Sequence, residues 1–215
     1  GPCHDQPAPD RRARVDLERE VRPLCQCLNR ERFLYPLRLL GITIKVEDDA
    51  GEPKQGALAA TKMVGSKDVV AVVSTYGSSV CEPASNIYEN AKKVNIGYGV
   101  TAVRLTERGF KYFFRTCGRD DSQGEFFAKA VPAKFNAKRI AIMHDNTAFG
   151  KGLAENARDA LKPMVDAKQV EIVYYDAIAP GEKDFKVPLT KLRETRPDVW
   201  YYTAYYAEAA LLVSQ

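Results

Sequence analysis

The sequence contains few of the residues that build metal sites. Its 215 residues include two histidines, His4 and His144, and five cysteines that form no Cys-x-x-Cys pair. Zinc and related ions are held by clusters of such side chains at short spacing. We therefore predict no metal site and no cofactor, and the odd number of cysteines leaves at least one thiol unpaired within the chain.

Long apolar runs and a strong charge imbalance are missing as well. No stretch approaches the roughly 20 apolar residues that cross a bilayer, and no charged and apolar leader opens the chain. The 32 basic and 28 acidic residues give a net charge of +4, and half of that excess lies in the first forty positions. A basic surface over the folded body is therefore not expected, and we predict no nucleic-acid partner.

From Gly41 onward, short apolar strands alternate with helices of about ten residues. Strands are predicted over residues 42–46, 69–73, 94–97, 111–115, 139–143, 170–175 and 198–202. Helices are predicted over residues 53–64, 79–92, 121–135, 151–161, 184–195 and from about 207, with an earlier one over about 10–30. This alternation predicts an α/β fold with parallel, Rossmann-like sheets joined by right-handed crossovers.

The loop at residues 74–79 is the strongest candidate for ligand binding. In open α/β sheets, ligands bind beyond the carboxyl ends of the strands, where the first N–H groups of the next helix are unsatisfied. Gly77 allows close backbone approach, and Ser78 and Ser79 place hydroxyl groups at a helix N-terminus, which favours a carboxylate. Ser79 and Glu82 also match a capping box, a structural role that is compatible with binding.

Residues 97–102 match the dinucleotide-binding pattern G-x-G-x-x-A, and Asp120 and Asp121 follow about 20 residues later. That motif requires a helix at its third position, and the segment before the aromatic strand at 111–115 is too short for one. A nucleotide-dependent enzyme is therefore kept only as an alternative.

His144 and Asp145 could form half of a catalytic triad, with Ser78 or Cys81 as the nucleophile. The chain has no sharp Gly-x-Ser-x-Gly turn to expose such a nucleophile. A histidine at a strand end that bonds to its own loop is the favoured interpretation, and we predict no catalytic residue.

Six motifs follow one another between residue 41 and the end of the chain. They are VEDDAGEPKQG, LTERG, FRTCGRDDSQG, HDNTAFGKGLA, GEKDF and PDVWYYTAYYAEAALLVSQ. In this order they resemble the branched-chain amino-acid (Leu/Ile/Val-binding-like) class of periplasmic solute-binding proteins, which serve ABC importers. The resemblance implies a two-lobed type I periplasmic-binding-protein fold that is incomplete here. Its expected parts are an atypical, partly helical segment at 1–40, an N-terminal lobe at 41–118 and a partial C-terminal lobe at 119–215.

The resemblance also implies a set of ligand-binding residues. Ser78 is expected to contact the ligand carboxylate, Gly99 to offer its carbonyl group, and Thr101 to offer its hydroxyl and amide groups. From the second lobe, Phe149 and Tyr205 are expected to enclose the ligand, and a hinge is expected near residues 117–120.

The function implied by the resemblance is capture of a small molecule without chemical change. The ligand would be an amino acid or a small organic, even aromatic, carboxylate, and the partner would be the permease of an ABC importer in the periplasm or another extracytoplasmic space. A ligand-sensing regulatory domain of the same fold is the alternative. Because the last helix is unfinished at Gln215, we expect a truncated chain with weak or no binding in isolation and some self-association.

Overall fold

The computed structural model describes residues 41–215. The chain divides into two compact units, residues 1–48 and residues 49–215, and every described helix and strand lies in the second. The α-helices are α1 (Pro53–Gly65), α2 (Ser78–Asn90), α3 (Asp120–Phe135), α4 (Ala148–Asp166), α5 (Lys186–Glu194) and α6 (Tyr206–Ser214). The strands are β1 (Ala71–Val73), β2 (Val94–Gly97), β3 (Phe113–Arg115), β4 (Arg139–His144), β5 (Glu171–Ala177) and β6 (Val199–Thr203), and a 3₁₀-helix covers Val103–Thr106.

The predicted strand at residues 42–46 is wrong, because residues 41–50 contain neither helix nor strand. An alternating pattern shows which side chains a strand would bury, but a strand forms only where its backbone groups pair with a neighbour. Ile42 and Ile44 are accordingly exposed. The helix predicted over about 10–30 lies outside the described residues.

Two three-stranded sheets organise the second unit, and all of their strand pairs are parallel. The first has the order β1-β2-β3 and the second the order β5-β4-β6. This confirms the predicted α/β fold with parallel sheets. The division into lobes at residues 118 and 119 stays a prediction.

Strand β4 is the centre of the second sheet and is buried on both faces, as parallel strands covered by helices are. Ile140 and Ile142 pack into one apolar cluster with residues of α3 and α4. Ala141 and Met143, which alternate with them, pack into a second cluster with residues of α5 and α6. The sheet is therefore fixed from both sides, and so are the loops at its carboxyl edge.

The first sheet is supported by α1 and α2, which pack closely against each other. A Cβ atom on Gly56 of α1 would lie 2.4 Å from Val80 Cγ1 of α2, so the two helices approach at a glycine. Met63, Val72 and Tyr88 belong to the apolar cluster between these helices and the sheet. This packing holds the N-terminus of α2, where the candidate loop ends.

None of the helices within residues 41–215 is both long enough and apolar enough to span a bilayer.

Candidate ligand-binding site

The loops that follow β1 and β2 lie side by side, because neighbouring parallel strands end at the same edge of a sheet. Ser78 is buried, and its Oγ accepts a hydrogen bond from the backbone N–H of Ala102 at 3.2 Å. A hydroxyl group both accepts and donates, so this bond leaves the Ser78 O–H able to donate to a ligand oxygen. The structure therefore connects the predicted Ser78 loop to the loop that carries Thr101.

The predicted capping box at Ser79 and Glu82 is wrong. Helix α2 begins at Ser78, its N-cap residue is Gly77, and no side chain caps it. Glu82 instead forms an ion pair with Arg104. The serine hydroxyls at this helix end are directed to other groups, so the binding interpretation of the loop keeps its physical basis and the capping interpretation loses it.

Tyr76 also lies among the candidate site residues, although the sequence pattern did not single it out. A Cβ atom on Gly99 would lie 2.8 Å from Tyr76 Cδ2, so only glycine allows this loop to pack on the tyrosine ring. The ring centroids of Tyr76 and Tyr205 are 6.3 Å apart. Its position past the end of β1, directly before Gly77, is the signal that could have identified it.

The loop after β4 is built around a buried carboxylate. Asp145 Oδ1 accepts hydrogen bonds from the backbone N–H and the hydroxyl of Thr147, at 2.9 and 2.6 Å. Thr147 Oγ1 in turn caps α4 by accepting the N–H of Gly150 at 3.0 Å. Helix α4 therefore starts earlier than predicted, and its second residue, Phe149, is held at the sheet edge.

Tyr205 brings the residues of the two sheets together. It directly precedes α6, and its ring centroid lies 5.4 Å from that of Phe149. A Cβ atom on Gly77 would lie 3.2 Å from Tyr205 Oη. Burial raises the pKa of Tyr205, while hydrogen bonds with the Ser79 side chain and the Ser78 backbone oppose that rise.

The structure thus places all six predicted residues at the sheet edges: Ser78, Ser79, Gly99, Thr101, Phe149 and Tyr205. Ser78, Ser79, Phe149 and Tyr205 are in one connected group, and Thr101 is joined to it by the neighbouring Ala102. Tyr206, which directly follows Tyr205, is 82% exposed. The role of the six residues as ligand contacts stays a prediction.

Neither of the enzymatic alternatives finds support in the site. Only a 3₁₀-helix of four residues follows residues 97–102, so the helix that a dinucleotide motif needs is not formed there. His144 Nδ1 accepts the N–H of Asn146 at 3.1 Å, which confirms a histidine bonded to its own loop, and burial lowers its pKa. Burial raises the pKa of the Cys81 thiol, which disfavours the nucleophilic thiolate.

Across residues 41–215, no three histidine, cysteine or acidic side chains lie close enough together to hold a metal ion. An apolar groove of about 370 Å³ is lined by Phe126, Phe127 and Tyr201 and contains none of the six predicted residues. The candidate site is therefore a convergence of loops that lies outside this groove.

Comparison with known proteins decides the family. The model of the periplasmic binding protein family matches residues 41–215. The chain belongs to this family. The described fold agrees with that assignment, because a crystal structure of the LivJ substrate-binding protein from Streptococcus pneumoniae, in complex with isoleucine, superposes with a TM-score of 0.74 at 27% identity.

Individual periplasmic binding proteins are similar over most of this chain. The Leu/Ile/Val-binding protein BraC3 of Rhizobium johnstonii is 41% identical over 174 residues, which are 81% of this chain and 46% of the relative. The leucine-specific-binding protein of Salmonella typhimurium is 39% identical, covering 78% of this chain and 44% of the relative. The LivJ match covers 84% of this chain and 51% of that structure. The chain therefore spans about half the length of the relatives it matches.

Proposed function

We propose that the protein captures a small carboxylate, an amino acid or an aromatic acid, as the solute-binding component of an ABC importer outside the cytoplasm. It would release that solute unchanged to a permease. The observation that carries this proposal is the convergence of Ser78 and Ser79 from the first sheet with Phe149 and Tyr205 from the second.

The chemistry of these residues suits a ligand with one anionic end and an apolar remainder. The N-terminus of α2 favours negative charge, and the Ser78 hydroxyl can donate a hydrogen bond to a carboxylate. Tyr76, Phe149 and Tyr205 supply aromatic surface around it. A ligand with one carboxylate and an apolar or aromatic side chain matches both halves.

The similar proteins support a solute of this class. The relatives named above are described as Leu/Ile/Val-binding and leucine-specific-binding proteins, and the LivJ structure holds isoleucine. In this chain, the aromatic residues Tyr76 and Phe149 extend the choice to an aromatic carboxylate.

Nuclear magnetic resonance titration of the ¹⁵N-labelled chain tests the proposal, because it detects the weak binding that we expect, with Kd on the order of 1 mM. L-isoleucine, L-phenylalanine and benzoate are added separately, and NAD is the negative control. We expect saturable shifts of the Ser78, Ser79 and Thr101 amide signals with at least one carboxylate.

The matched variants are Ser78→Ala, which removes the donor, and Ser122→Ala, which removes an exposed serine of α3. Ser78→Ala should weaken binding about tenfold, as expected when a charged ligand loses one hydrogen bond. Saturable shifts with NAD alone, or shifts that Ser78→Ala leaves unchanged, would contradict the proposal.

A further inference from the structure

The last residue of β3, Arg115, and the first residue of α3, Asp120, hold the backbone of the loop that carries Thr101. Arg115 Nη1 donates to the carbonyl oxygens of Val100 and Ala102, at 3.2 and 2.9 Å. The backbone N–H of Asp120 donates to the carbonyl oxygen of Thr101, which lies between them, at 3.0 Å. Three consecutive carbonyl groups of the loop are thus bound by Arg115 and Asp120.

The side chains of Asp120 and Thr101 also lie close together, but some of their buried polar atoms form no hydrogen bond. Asp120 is fully buried, and its Oδ1 accepts a hydrogen bond from Gln123 Nε2 at 3.2 Å. Its Oδ2 and the hydroxyl oxygen of Thr101 are both buried atoms without a hydrogen-bond partner. The Thr101 hydroxyl nevertheless lies near enough to the carboxyl group to lower its pKa.

The protonation state of Asp120 decides what the Thr101 hydroxyl can offer. An ionised carboxylate only accepts hydrogen bonds, so it takes the Thr101 proton and leaves lone pairs toward the site. A protonated carboxyl group can donate to Thr101 Oγ1 instead, so the Thr101 proton is left for a ligand oxygen. A ligand carboxylate would also be repelled by a nearby ionised carboxylate.

We infer that Asp120 is a positioning residue of the binding site, whose carboxyl group sets the direction of the Thr101 hydroxyl and, when protonated, turns it toward a bound carboxylate. This inference rests on the proposed function. It assigns to Asp120 a role in affinity that acts through Thr101, without contact between Asp120 and the ligand.

The electrostatic surroundings allow this group to change its charge near neutral pH. Burial raises the pKa of Asp120 from 3.8 to about 6, against the opposing effects of the Thr101 hydroxyl and the positive charge of Arg115. Asp121 on the same helix raises it further. Tyr201 of β6 also faces Asp120. Burial raises the pKa of that phenol, and the negative charge of Asp120 raises it further.

The first test needs no ligand. The Asp120 carboxyl carbon and the Thr101 methyl group are followed by nuclear magnetic resonance between pH 4.5 and 8. We expect both signals to titrate together with a midpoint at about 6 and the Thr101 titration to vanish in Asp120→Asn. A Thr101 signal that is constant across this range would overturn the inference, whatever the ligand results are.

The second test measures Kd for the best carboxylate ligand against pH. We expect affinity to fall about tenfold from pH 5 to pH 8. A fall of this size corresponds to binding that raises the pKa of Asp120 by about one unit. Asp120→Asn, whose amide can donate to Thr101 at every pH, should bind with a nearly constant affinity.

Asp121→Asn is the matched control, because it removes the same charge one residue away. Asp121 forms an ion pair with Arg119, and this bond lowers its pKa. This variant should keep a pH dependence of similar size, with a midpoint at slightly lower pH, because the charge of Asp121 contributes to the raised pKa of Asp120. If a carboxylate binds with an affinity that does not change with pH, the inference about Asp120 is overturned and the proposed function is not. If no carboxylate binds, the proposed function is overturned, and the first test decides the role of Asp120.

Discussion

The hydroxyl oxygen of Tyr205 lies against the backbone of Gly77, so that a Cβ atom at Gly77 would be 3.2 Å from it. Tyr205 follows β6 of the second sheet, and Gly77 precedes α2 of the first. The contact therefore joins the carboxyl edges of both sheets at the place where Ser78 and Ser79 begin a helix. A ligand held at that helix end would lie beside the tyrosine.

Gly77→Ala tests this contact. The φ angle of Gly77 is −87°, which alanine adopts readily, so the effect comes from the added methyl group. That group would lie 3.2 Å from Tyr205 Oη and 3.4 Å from Val80 Cγ2. We expect Tyr205 to shift by a few tenths of an ångström, with roughly a threefold to tenfold loss of ligand affinity and a change in stability below about 1 kcal/mol. Calorimetric titration and thermal unfolding measure the two quantities.

The control for that variant is Gly65→Ala. Gly65 ends α1, and no atom lies within 4 Å of a Cβ atom placed on it. If this control weakens binding as much as Gly77→Ala does, the contact with Tyr205 is not responsible.

Gly150→Ala should destabilise the fold. A Cβ atom there would lie 2.2 Å from Asp145 Oδ1 and 2.4 Å from the backbone oxygen of Thr203, and backbone cannot move aside easily. Thr203 Oγ1 also donates to the Gly150 carbonyl at 2.8 Å, so the same shift strains that bond. We expect a loss of about 2 to 4 kcal/mol in the free energy of unfolding, measured with urea. An unchanged midpoint would show that α4 is less tightly docked than described.

Tyr76→Leu should distinguish aromatic from aliphatic ligands. An aromatic pair contributes about 0.5 to 1.5 kcal/mol beyond its buried area, so benzoate affinity should fall roughly twofold to tenfold. Isoleucine affinity should change less. Tyr206→Leu is the control, because Tyr206 is exposed. Equal losses for both ligands would mean that Tyr76 contacts no aromatic group of the ligand.

Asp120 should make the protein less stable as the pH rises. Its folded-state pKa of about 6 is above the usual 3.8, so the unfolded chain releases this proton first. Stability is therefore lost between about pH 4 and 6 and stays low above that range, by at most about 3 kcal/mol. Asp120→Asn should unfold at a higher temperature than the unmodified chain at pH 7.5, and at a similar temperature at pH 4.

Asp121→Asn serves as the comparison for thermal unfolding, because the pKa of Asp121 is lowered in the folded protein whereas that of Asp120 is raised. Arg119 lowers the pKa of Asp121, so that its contribution is present above the usual pKa and is lost as the pH falls. If both variants raise the unfolding temperature at pH 7.5 equally, a general charge effect explains the result and the burial of Asp120 does not.

The period of apolar residues predicted most of the fold, because it reports which faces are buried. It placed β2 at its observed bounds and β4 within one residue. The predicted α4 was shorter than the observed helix at both ends. The capping hydrogen bond to Thr147 and the last turn depend on contacts that the period of apolar residues does not report. The period also predicted a strand at residues 42–46, where the structure has neither helix nor strand.

The candidate site was predictable in part. The loop at residues 74–79 was predicted because ligands bind beyond the carboxyl ends of parallel strands, whereas Thr101 was named through the family resemblance. The approach of Tyr205 to Gly77 and the burial of Asp120 beside Thr101 depend on how helices and loops pack in three dimensions. No local spacing in the sequence records either contact.

The most direct test of the proposed site is a crystal structure of the chain grown with millimolar isoleucine or benzoate. The account predicts that the ligand carboxylate lies within hydrogen-bonding distance of Ser78 Oγ and Thr101 Oγ1, with its apolar part between Tyr76, Phe149 and Tyr205. A ligand bound away from the N-terminus of α2, with its carboxylate on other residues, would contradict it.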